Sequence, residues 1–253
     1  MMNLKGARVV LTGGSRGLGL GLTEALVAQS ADVTVVARDL KSLQSVGDRL
    51  GVAVVSADVT DEQAAHRILD DVRPALLILN AGAPPPMERL DRISWKDFSA
   101  TWEHDVKASL FWLQAALRAP LAPGSRVLVV SSGAAVNGSP LSGGYGGAKR
   151  MLWLMARYAQ GVSDQEALGI RFQVIVPQQL VLGTGVGDAG AHAYADALSL
   201  TPEAFVARFG APLTPLRFGQ LVLSVVGDGP VEEGFAFGVT AEGGVRVLEE
   251  VAA

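Results

Sequence analysis

A tyrosine and a lysine four residues apart, Tyr145 and Lys149, have the types and spacing for proton transfer. The segment that contains them is amphipathic and predicts a helix, in which residues four apart lie on the same face. A phenol has an ordinary pKa near ~10, and a neighbouring ammonium favours the phenolate and lowers that value. The pair can therefore act as a general acid and base. Taken alone, the same spacing is more often an ordinary solvated pair on a helix surface.

A glycine-rich turn, Thr12–Gly19 (TGGSRGLG), lies far upstream. It follows an apolar run at Arg8–Leu11, typical of a buried strand, and it opens an apolar-periodic segment at Leu18–Ala28 that predicts a helix. Strand, glycine turn and helix form the context that a dinucleotide site requires. Glycines let the backbone approach a pyrophosphate, and the helix N-terminus offers free N–H groups to it. By itself, the glycine cluster could also be only a tight strand-to-helix turn.

The elements that must position these residues alternate between strands and helices. Seven apolar runs predict strands, at Arg8–Thr12, Asp32–Ala37, Val52–Ala57, Ala75–Leu79, Arg126–Val130, Ile170–Val176 and Gly234–Val239. Six amphipathic stretches predict helices, at Leu18–Ala28, Leu40–Leu50, Asp61–Asp71, Trp95–Arg118, Tyr145–Gly161 and Pro215–Val226. Strands that are apolar on both faces and separated by helices indicate an α/β fold with a doubly wound parallel sheet of about seven strands. We expect a single domain over residues 1–253, with a substrate-covering insertion near 180–212.

Composition and charge exclude several classes of protein. The 253 residues are 49% hydrophobic and 18% charged, which fits a strongly buried globular protein. A net charge of −4 without a basic stripe argues against nucleic acid or an anionic membrane surface as a partner. The absence of cysteine excludes disulfides and thiolate chemistry. His104 and His192 lack the clustered partners of a metal site, so we interpret them as polar surface or substrate-loop residues. No segment has the roughly 20 apolar residues that span a bilayer, and no apolar signal region precedes the first strand, so we expect a cytoplasmic protein.

Small or polar residues follow successive predicted strands, at the sheet edge where such folds bind ligands. They are Arg38 and Asp39 after the second strand, Asp58 and Val59 after the third, Asn80, Ala81 and Gly82 after the fourth, Ser131 and Ser132 after the fifth, and Pro177 and Gln178 after the sixth. Any one of them could be only a turn or a helix cap. Their presence at one strand end after another predicts a shared site.

Together these motifs resemble the short-chain dehydrogenase/reductase family over nearly the whole chain. The resemblance rests on Thr-Gly-x-x-x-Gly-x-Gly at Thr12–Gly19, Asp58, Asn80-Ala81-Gly82, Ser132 and Tyr145-x-x-x-Lys149, with Ser132 thirteen residues before Tyr145. It implies a Rossmann-type oxidoreductase that binds NAD or NADP and interconverts a ketone or aldehyde and an alcohol by hydride transfer, with Tyr145 as acid and base. It also implies that Lys149 bonds the nicotinamide ribose and that Ser132 hydrogen-bonds the substrate oxygen. The cofactor-binding residues that it implies are Thr12, Gly13, Ser15, Arg16, Gly17, Leu18, Gly19, Arg38, Asp58, Val59, Asn80, Ala81, Gly82, Tyr145, Lys149, Pro177 and Thr184.

The end of the second strand bears on the choice between NAD and NADP. An acidic residue there would accept the adenosine ribose hydroxyls and favour NAD, but this chain has Ala37. Arg38 follows, Arg16 lies inside the glycine turn, and two guanidiniums can pair with a 2′-phosphate. In the family that the chain resembles, basic residues at both places go with NADP, so we predict NADP(H). The competing interpretation is that Arg38 is a surface charge and that Asp39, one or two residues late, supplies the acid.

Two positions depart from the family's pattern. The family usually has an asparagine in the long helix before the fifth strand, which organises a water beside the lysine, and the matching residue here is Asp105. An ionised aspartate cannot donate a hydrogen bond, and its charge opposes a phenolate at Tyr145. The alternative is that Asp105 only caps a helix or lies in an interface. The family's Pro-Gly after the sixth strand is Pro177-Gln178 here, and Thr184, displaced by two residues, is the nearest match to the threonine that touches the nicotinamide amide.

The insertion bears on the substrate. Its large side chains predict a small-molecule carbonyl or alcohol substrate that is apolar and medium to large in size, although packing of a short helix at Pro202–Phe209 onto the sheet explains them equally well. Glycines at Gly183, Gly185 and Gly187 suggest a mobile lid. The large side chains are Leu180, Val181, Leu182, Tyr194, Leu198, Phe205 and Phe209.

Two predicted helices, Trp95–Arg118 and Tyr145–Gly161, are too apolar to hide every large side chain against one sheet. The family that the chain resembles pairs these helices across a two-fold axis, so we expect a homodimer or homotetramer. The side chains concerned are Trp102, Leu110, Phe111, Leu113, Leu117, Met151, Leu152, Leu154 and Met155.

Three functions stay open at this point. The first is an active NADP-dependent oxidoreductase, which the intact Ser132, Tyr145 and Lys149 favour. The second is an enzyme that retains the cofactor for non-redox chemistry, and the third is a catalytically idle NADP-binding regulator. Asp105 and the altered turn after the sixth strand leave room for the second and third.

Overall fold

Eight strands and ten helices alternate along the computed structural model, which describes residues 2–227 and 234–248. The strands are β1 (Arg8–Thr12), β2 (Asp32–Ala37), β3 (Ala53–Ser56), β4 (Leu76–Leu79), β5 (Arg126–Val130), β6 (Arg171–Pro177), β7 (Ala236–Thr240) and β8 (Gly244–Val247). The helices are α1 (Gly17–Ala28), α2 (Leu40–Leu50), α3 (Glu62–Val72), α4 (Trp95–Thr101), α5 (Lys107–Arg118), α6 (Ala134–Asn137), α7 (Tyr145–Gln165), α8 (Gly185–Ala197), α9 (Pro202–Val206) and α10 (Pro215–Val226). A π-helical turn at Trp102–Val106 joins α4 to α5, and a 3₁₀ turn at Ala207–Phe209 follows α9.

The strands form one sheet in the order β3-β2-β1-β4-β5-β6-β7-β8. Strands β1 to β7 are parallel, and β8 is antiparallel to β7. The strand order reverses between β1 and β4, which is where α/β sheets bind ligands. The predicted doubly wound sheet is confirmed, with eight strands rather than about seven. Because the added strand β8 lies at the edge and is at least partly exposed along its length, it lacks the apolar run that marks the buried strands.

Two apolar cores cover the two faces of the sheet. Val9 and Leu11 of β1 belong to a core with α1, α2 and α10, whereas Val10 belongs to the opposite core with α3, α5 and α7. All three side chains are fully buried, and burial of each such side chain contributes roughly 1.5–3 kcal/mol. Burial on both faces is the reason that the strands read as continuous apolar runs.

The helices follow the predicted periodicity, with two differences. The predicted helix Trp95–Arg118 is interrupted by the π-helical turn, and α8 begins at Gly185 in a segment that we expected to be a lid. Thr184 caps α8 by accepting a hydrogen bond from the Gly187 amide at 3.0 Å. Glycine disfavours helix, so composition alone did not reveal α8. No helix among the described residues is long and apolar enough to cross a bilayer.

The nine large apolar side chains named above on the two predicted helices divide into two sets. The α3–α5–α7 core takes up six of them. Leu113, Leu152 and Met155 are buried in it, and Phe111, Leu117 and Met151 pack against it. Trp102 and Leu110 stay about 40% exposed, and Leu154 is half-buried. Two further side chains of α7 are also exposed, Val162 at 38% and Tyr158 at 58%.

Helices α1 and α10 cross with their backbones in contact, which glycine permits. A Cβ on Gly21 would overlap the carbonyl oxygen of Pro215, and a Cβ on Gly219 would overlap the carbonyl oxygen of Gly21. This crossing supports α1, the helix whose first residues belong to the glycine-rich turn.

We expect Gly21→Ala to lower the free energy of unfolding by about 1–3 kcal/mol, because the added methyl overpacks the α1–α10 contact. The matched control is Gly161→Ala in α7, where a Cβ would have no neighbour within 4 Å. That variant should gain up to about 1 kcal/mol from helix propensity. Denaturant unfolding measures both changes, and equal effects at the two positions would contradict the packing argument.

Candidate active site

The turn after β1 is a backbone cradle that depends on glycine. Gly13 and Gly17 have φ angles of +70° and +55°, and a Cβ on Gly19 would overlap the carbonyl oxygen of Gly13. Helix α1 starts at Gly17 without a side-chain cap from Arg16, so its first amides are free to bind an anion. Ser15 is partly exposed on this turn. The residues therefore fit a dinucleotide pyrophosphate.

Strand β4 braces the cradle from the side. The Thr12 hydroxyl accepts hydrogen bonds from the amides of Asn80 (3.0 Å) and Ala81 (3.2 Å). The Asn80 side chain donates to the carbonyl oxygens of Thr12 and Gly13 at 3.3 and 3.2 Å. A Cβ on Gly13 would lie 2.8 Å from the Ala81 Cα, so the two strand ends are in close contact. Thr12 and Asn80 thus hold the cradle in shape.

The end of β2 presents two guanidiniums, and the carboxylate that follows, Asp39, has one of its oxygens engaged in a helix cap. Ala37 ends the strand, and Arg16 and Arg38 are exposed, with no ion pair to either among the described residues. Asp39 caps α2 by accepting hydrogen bonds from the amide (2.7 Å) and the hydroxyl of Ser42. These two bonds lower the pKa of Asp39, with a smaller contribution from Arg16. The carboxylate that might have bound a ribose is therefore occupied as a helix cap.

The end of β3 supplies a second fixed carboxylate. Asp58 accepts from the Thr60 amide (2.9 Å) and the Thr60 hydroxyl (2.8 Å), and the amide is the main cause of a lowered pKa at Asp58. Val59 is buried, and its carbonyl oxygen accepts from the indole N–H of Trp112 at 3.1 Å. The hydrogen bonds keep Asp58 at the sheet edge and anchor Val59 to α5.

A buried ion pair joins the centre of the site to the helix before β5. The Asp105 Oδ2 lies 3.0 Å from the Lys149 Nζ, with both side chains almost fully buried. Oδ1 of the same carboxylate accepts from the Ala83 amide at 2.8 Å. A Cβ on Gly82 would lie 3.0 Å from the Asp105 Oδ2 and 3.3 Å from the Lys149 Nζ, so glycine leaves room for the pair. Asp105 is therefore neither a helix cap nor an interface residue.

Both charges of the pair are favoured over their neutral forms. Burial opposes ionisation of Asp105, but Lys149, His104 and the Ala83 amide together lower the pKa of Asp105. Burial likewise opposes the Lys149 charge, but Asp105 and Tyr145 raise the pKa of Lys149. The pair thus stabilises the fold between the ordinary pKa values of the two groups. Its contribution is lost as pH falls through the lowered pKa of Asp105 or rises through the raised pKa of Lys149.

His104 also belongs to this cluster. Sequence reasoning missed this role, because it interpreted His104 as a polar surface or substrate-loop residue. Its Nδ1 lies 3.2 Å from the Asp105 Oδ1, and its side chain is only 15% exposed. The two residues lie on the π-helical turn, a local feature that is frequent at functional sites. The available signal in the sequence was the adjacent Asp105, because an aspartate that is buried needs several polar partners. His192 is exposed on α8, as expected from the sequence.

Ser132, Tyr145 and Pro177 line one cavity of about 300 Å³. Tyr145 is 7% exposed at the start of α7, and the Lys149 Nζ lies 5.5 Å from its ring centroid. The Ser132 Oγ accepts from the Ala134 amide at 3.2 Å, which leaves its own hydrogen free to donate. Beside it, the Ser131 hydroxyl donates to the Lys149 carbonyl oxygen at 2.8 Å and holds α7 against β5. A proton donor and a second hydroxyl thus face the same space.

The turn after β6 closes the site on its other side. The Pro177 carbonyl oxygen accepts from the Gly133 amide at 2.8 Å, and the Gln178 side chain accepts from Arg246 at 3.2 Å. Thr184 donates to the Val181 carbonyl oxygen at 2.8 Å and would lie 3.4 Å from a Cβ on Gly17. Thr184 therefore borders the glycine turn, although its hydroxyl is used within its own loop.

The described residues contain no cluster of three or more His, Cys, Asp or Glu placed for a metal.

Comparison with known proteins places this site in a family. A sequence model described as short chain dehydrogenase matches residues 7–186. Gluconate 5-dehydrogenase of Gluconobacter oxydans (strain 621H) is 35% identical over 130 residues, which cover 47% of this chain and 50% of that protein. L-xylulose reductase of Homo sapiens is 32% identical over 122 residues, which cover 48% of this chain and 50% of that protein. The chain thus spans about half the length of these two relatives.

Two further matches cover more of the chain. The 2,5-dichloro-2,5-cyclohexadiene-1,4-diol dehydrogenase of Sphingobium indicum (strain UT26S) is 27% identical over 194 residues, 70% of this chain and 74% of that protein. A solved structure described as a short chain dehydrogenase/reductase family protein has a TM-score of 0.70 at 22% identity, over 88% of this chain and 90% of that chain, which supports the fold alone. Because the family match runs from β1 through the glycine turn to Tyr145 and Lys149, the chain belongs to the short-chain dehydrogenase/reductase family.

Proposed function

We propose that this protein is an NADP(H)-dependent oxidoreductase that interconverts a ketone or aldehyde and an alcohol, with Tyr145 as the acid and base. The family model is that of a dehydrogenase, and the two relatives of 32–35% identity are a dehydrogenase and a reductase. The observation that carries the proposal is the cavity that Ser132 and Tyr145 share, with the ammonium of Lys149 at 5.5 Å from the tyrosine ring. A bound reduced cofactor supplies the hydride for such a cavity.

The side chains of this chain handle the proton and the substrate oxygen. In reduction, the Tyr145 hydroxyl donates its proton to the carbonyl oxygen, and the Ser132 hydroxyl donates a hydrogen bond to that oxygen. The carbonyl carbon gains a hydride and the oxygen a proton, so the product is the alcohol. Oxidation runs the same steps backwards, with the Tyr145 phenolate accepting the proton.

The preference for NADP is supported by the end of β2. Arg16 and Arg38 form no ion pair within 4 Å among the described residues, although Arg16 lowers the pKa of Asp39 and Arg38 lowers the pKa of Asp58. The Oδ1 of Asp39 caps α2. Charge-assisted hydrogen bonds from two guanidiniums suit a 2′-phosphate, whereas Ala37 offers nothing to a ribose hydroxyl. Arg16 and Arg38 therefore account for specificity in this proposal.

The proposal extends to the organisation of the chain. Residues 1–253 act as a single dinucleotide-binding domain, and the segment near 180–212 covers the substrate. Trp102, Leu110, Tyr158 and Val162 remain about 40–60% exposed around α5 and α7, which supports a homodimer or homotetramer through these helices.

The alternative is a catalytically idle or non-redox member of the same fold. The buried Asp105–Lys149 pair leaves this alternative open, because Asp105 departs from the asparagine that the family usually has. Oxidation of NADPH at 340 nm over a panel of carbonyl compounds separates the two, since reduced nicotinamide absorbs there. Turnover supports the oxidoreductase, and cofactor binding without turnover favours the alternative. The names of the relatives cover both sugar-derived and cyclic substrates, so they do not choose a substrate.

Replacing Tyr145 with phenylalanine removes the proton and keeps the ring, so Tyr145→Phe should lower kcat by about 10²–10⁴-fold. NADPH affinity, measured by fluorescence titration, should change little. The matched control is Tyr158→Phe, which alters an exposed tyrosine on the same helix and should keep full activity. A comparable rate in the Tyr145 variant would overturn its role as the acid.

Arg38→Ala should weaken NADPH binding about tenfold or more and leave NADH binding nearly unchanged. One charge-assisted hydrogen bond contributes roughly 1.5–3 kcal/mol, and each 1.4 kcal/mol is a factor of ten. Arg8→Ala, which removes an exposed guanidinium from the opposite end of β1, serves as the control. Titration calorimetry with both cofactors measures the ratio. Equal affinities of the unmutated protein for NADPH and NADH would rule this assignment out.

Asp105→Asn should move the alkaline rise of alcohol oxidation to lower pH. Oxidation needs the Tyr145 phenolate, and removal of the carboxylate leaves the Lys149 ammonium uncompensated beside it. Reduction at neutral pH, which uses the protonated phenol, should persist. The pH profile of kcat/KM in both directions measures the change, with thermal unfolding as a check on the fold. An identical oxidation profile would place Asp105 outside the proton path.

A further inference from the structure

One wall of the cavity that Ser132 and Tyr145 line is apolar. It is built by α8, α9 and the segments beside them, whose side chains form a small core of their own. Tyr194 stacks on Phe205 at 5.8 Å, and Phe205 meets the edge of Phe209 at 5.5 Å. Leu180, Val186 and Met87 complete this surface.

Polar groups around the cavity are already engaged. The Tyr194 hydroxyl pairs with the Ser139 hydroxyl at 2.7 Å and accepts from the Leu141 amide at 3.2 Å. The Ser142 hydroxyl donates to the Ser139 carbonyl oxygen at 3.0 Å. These bonds also tie α8 to the segment before α7, so the aromatic wall is fixed relative to Tyr145.

The two glutamines at the end of β6 differ in how far they are engaged. The Gln178 side chain accepts from Arg246 through its Oε1, while the Gln179 side chain donates to the Ala211 carbonyl oxygen at 2.8 Å and accepts from the Ala241 amide at 2.7 Å. Among the described side chains that line the cavity, Ser132, Tyr145, the exposed Asn137 and the Gln178 Nε2 have donors that no hydrogen bond uses. Two of these four are the groups assigned to the reacting oxygen, and none belongs to the apolar wall formed by Leu180, α8 and α9.

We infer that the substrate is a compact ketone, or the matching alcohol, whose body beyond the reacting carbon is alicyclic or aromatic and carries no further hydroxyl groups near the wall. This inference rests on the proposed function and names its substrate class. A cavity of about 300 Å³ lies at the small end of ligand pockets, so the body is compact. A hydroxyl buried against Leu180, Val186 or Phe205 would lose its water without gaining a partner. Polyhydroxylated open-chain ketones are therefore disfavoured.

The test compares two rings of equal size, 4-methylcyclohexanone and 4-hydroxycyclohexanone, as substrates with NADPH. The methyl compound should have a kcat/KM about tenfold or more above that of the hydroxyl compound, since one unpaired hydroxyl corresponds to that factor. An equal or reversed ratio would overturn the inference while turnover itself upheld the proposed function.

If neither ketone is reduced, the proposed function fails for this class of carbonyl, and binding decides the inference separately. Saturation-transfer NMR with 4-methylcyclohexanol and cyclohexane-1,4-diol then compares the two chemistries directly. Preferential binding of the methyl compound upholds an apolar site, and equal binding of both overturns it.

Variants locate the selectivity at the wall. Leu180→Asn places an amide of similar size there and should reduce the methyl-to-hydroxyl ratio several-fold. The control is Leu182→Asn two residues away, outside the cavity lining and 40% exposed, which should leave the ratio unchanged. Val186→Thr, an isosteric change on α8, gives a second reading if Leu180→Asn does not fold. An unchanged ratio in the folded wall variants would assign the selectivity elsewhere and refute this account of the wall.

Discussion

Burial of both faces of the sheet is the constraint on which the rest of the structure depends. Because helices cover β1 to β7 from each side, a ligand can reach the sheet only at its edges. At the carboxyl edge, backbone turns and helix N-termini offer free N–H groups, and this is where polar side chains collect. Two glycine contacts bring these parts close together: Gly13 against β4, and Gly21 against α10.

The buried Asp105–Lys149 pair is the principal exception to an apolar interior. Its desolvation is offset by a contact of 3.0 Å and by the Ala83 amide and His104 around the carboxylate. The π-helical turn at Trp102–Val106 carries both His104 and Asp105, so both residues join the same cluster. The pair therefore links the helix before β5 to the helix that carries Tyr145. The geometry of the π-helical turn therefore determines where the Asp105 carboxylate lies relative to Lys149.

The two ends of the candidate site are built differently. The cofactor end consists mainly of backbone, shaped by glycines and by the hydrogen bonds of Thr12 and Asn80. The substrate end consists of side chains, held in a small apolar core that is separate from the two main cores. Side chains on a separate core can change without disturbing the sheet, which suits a region that selects the substrate.

Sequence alone determined the alternating architecture, since doubly buried strands leave continuous apolar runs and the helices between them keep a 3.6-residue period. It also indicated the family and brought Ser132, Tyr145 and Lys149 together by their spacing. The edge strand β8 was missed because a short, exposed strand has no apolar signature. Helix α8 was missed because its glycines oppose helix formation locally, and only its cap and its packing compensate.

Tertiary structure decided the partners of the polar groups, because those partners come from distant segments. Asp105 meets Lys149 across 44 positions of sequence, and the Tyr194 hydroxyl pairs with Ser139 across 55 positions. The interpretation of His104 as a polar surface or substrate-loop residue was wrong, because the burial of a side chain depends on the packed fold and not on its neighbours in the chain. Side-chain types state which bonds are possible, and only the packed chain brings donor and acceptor within reach.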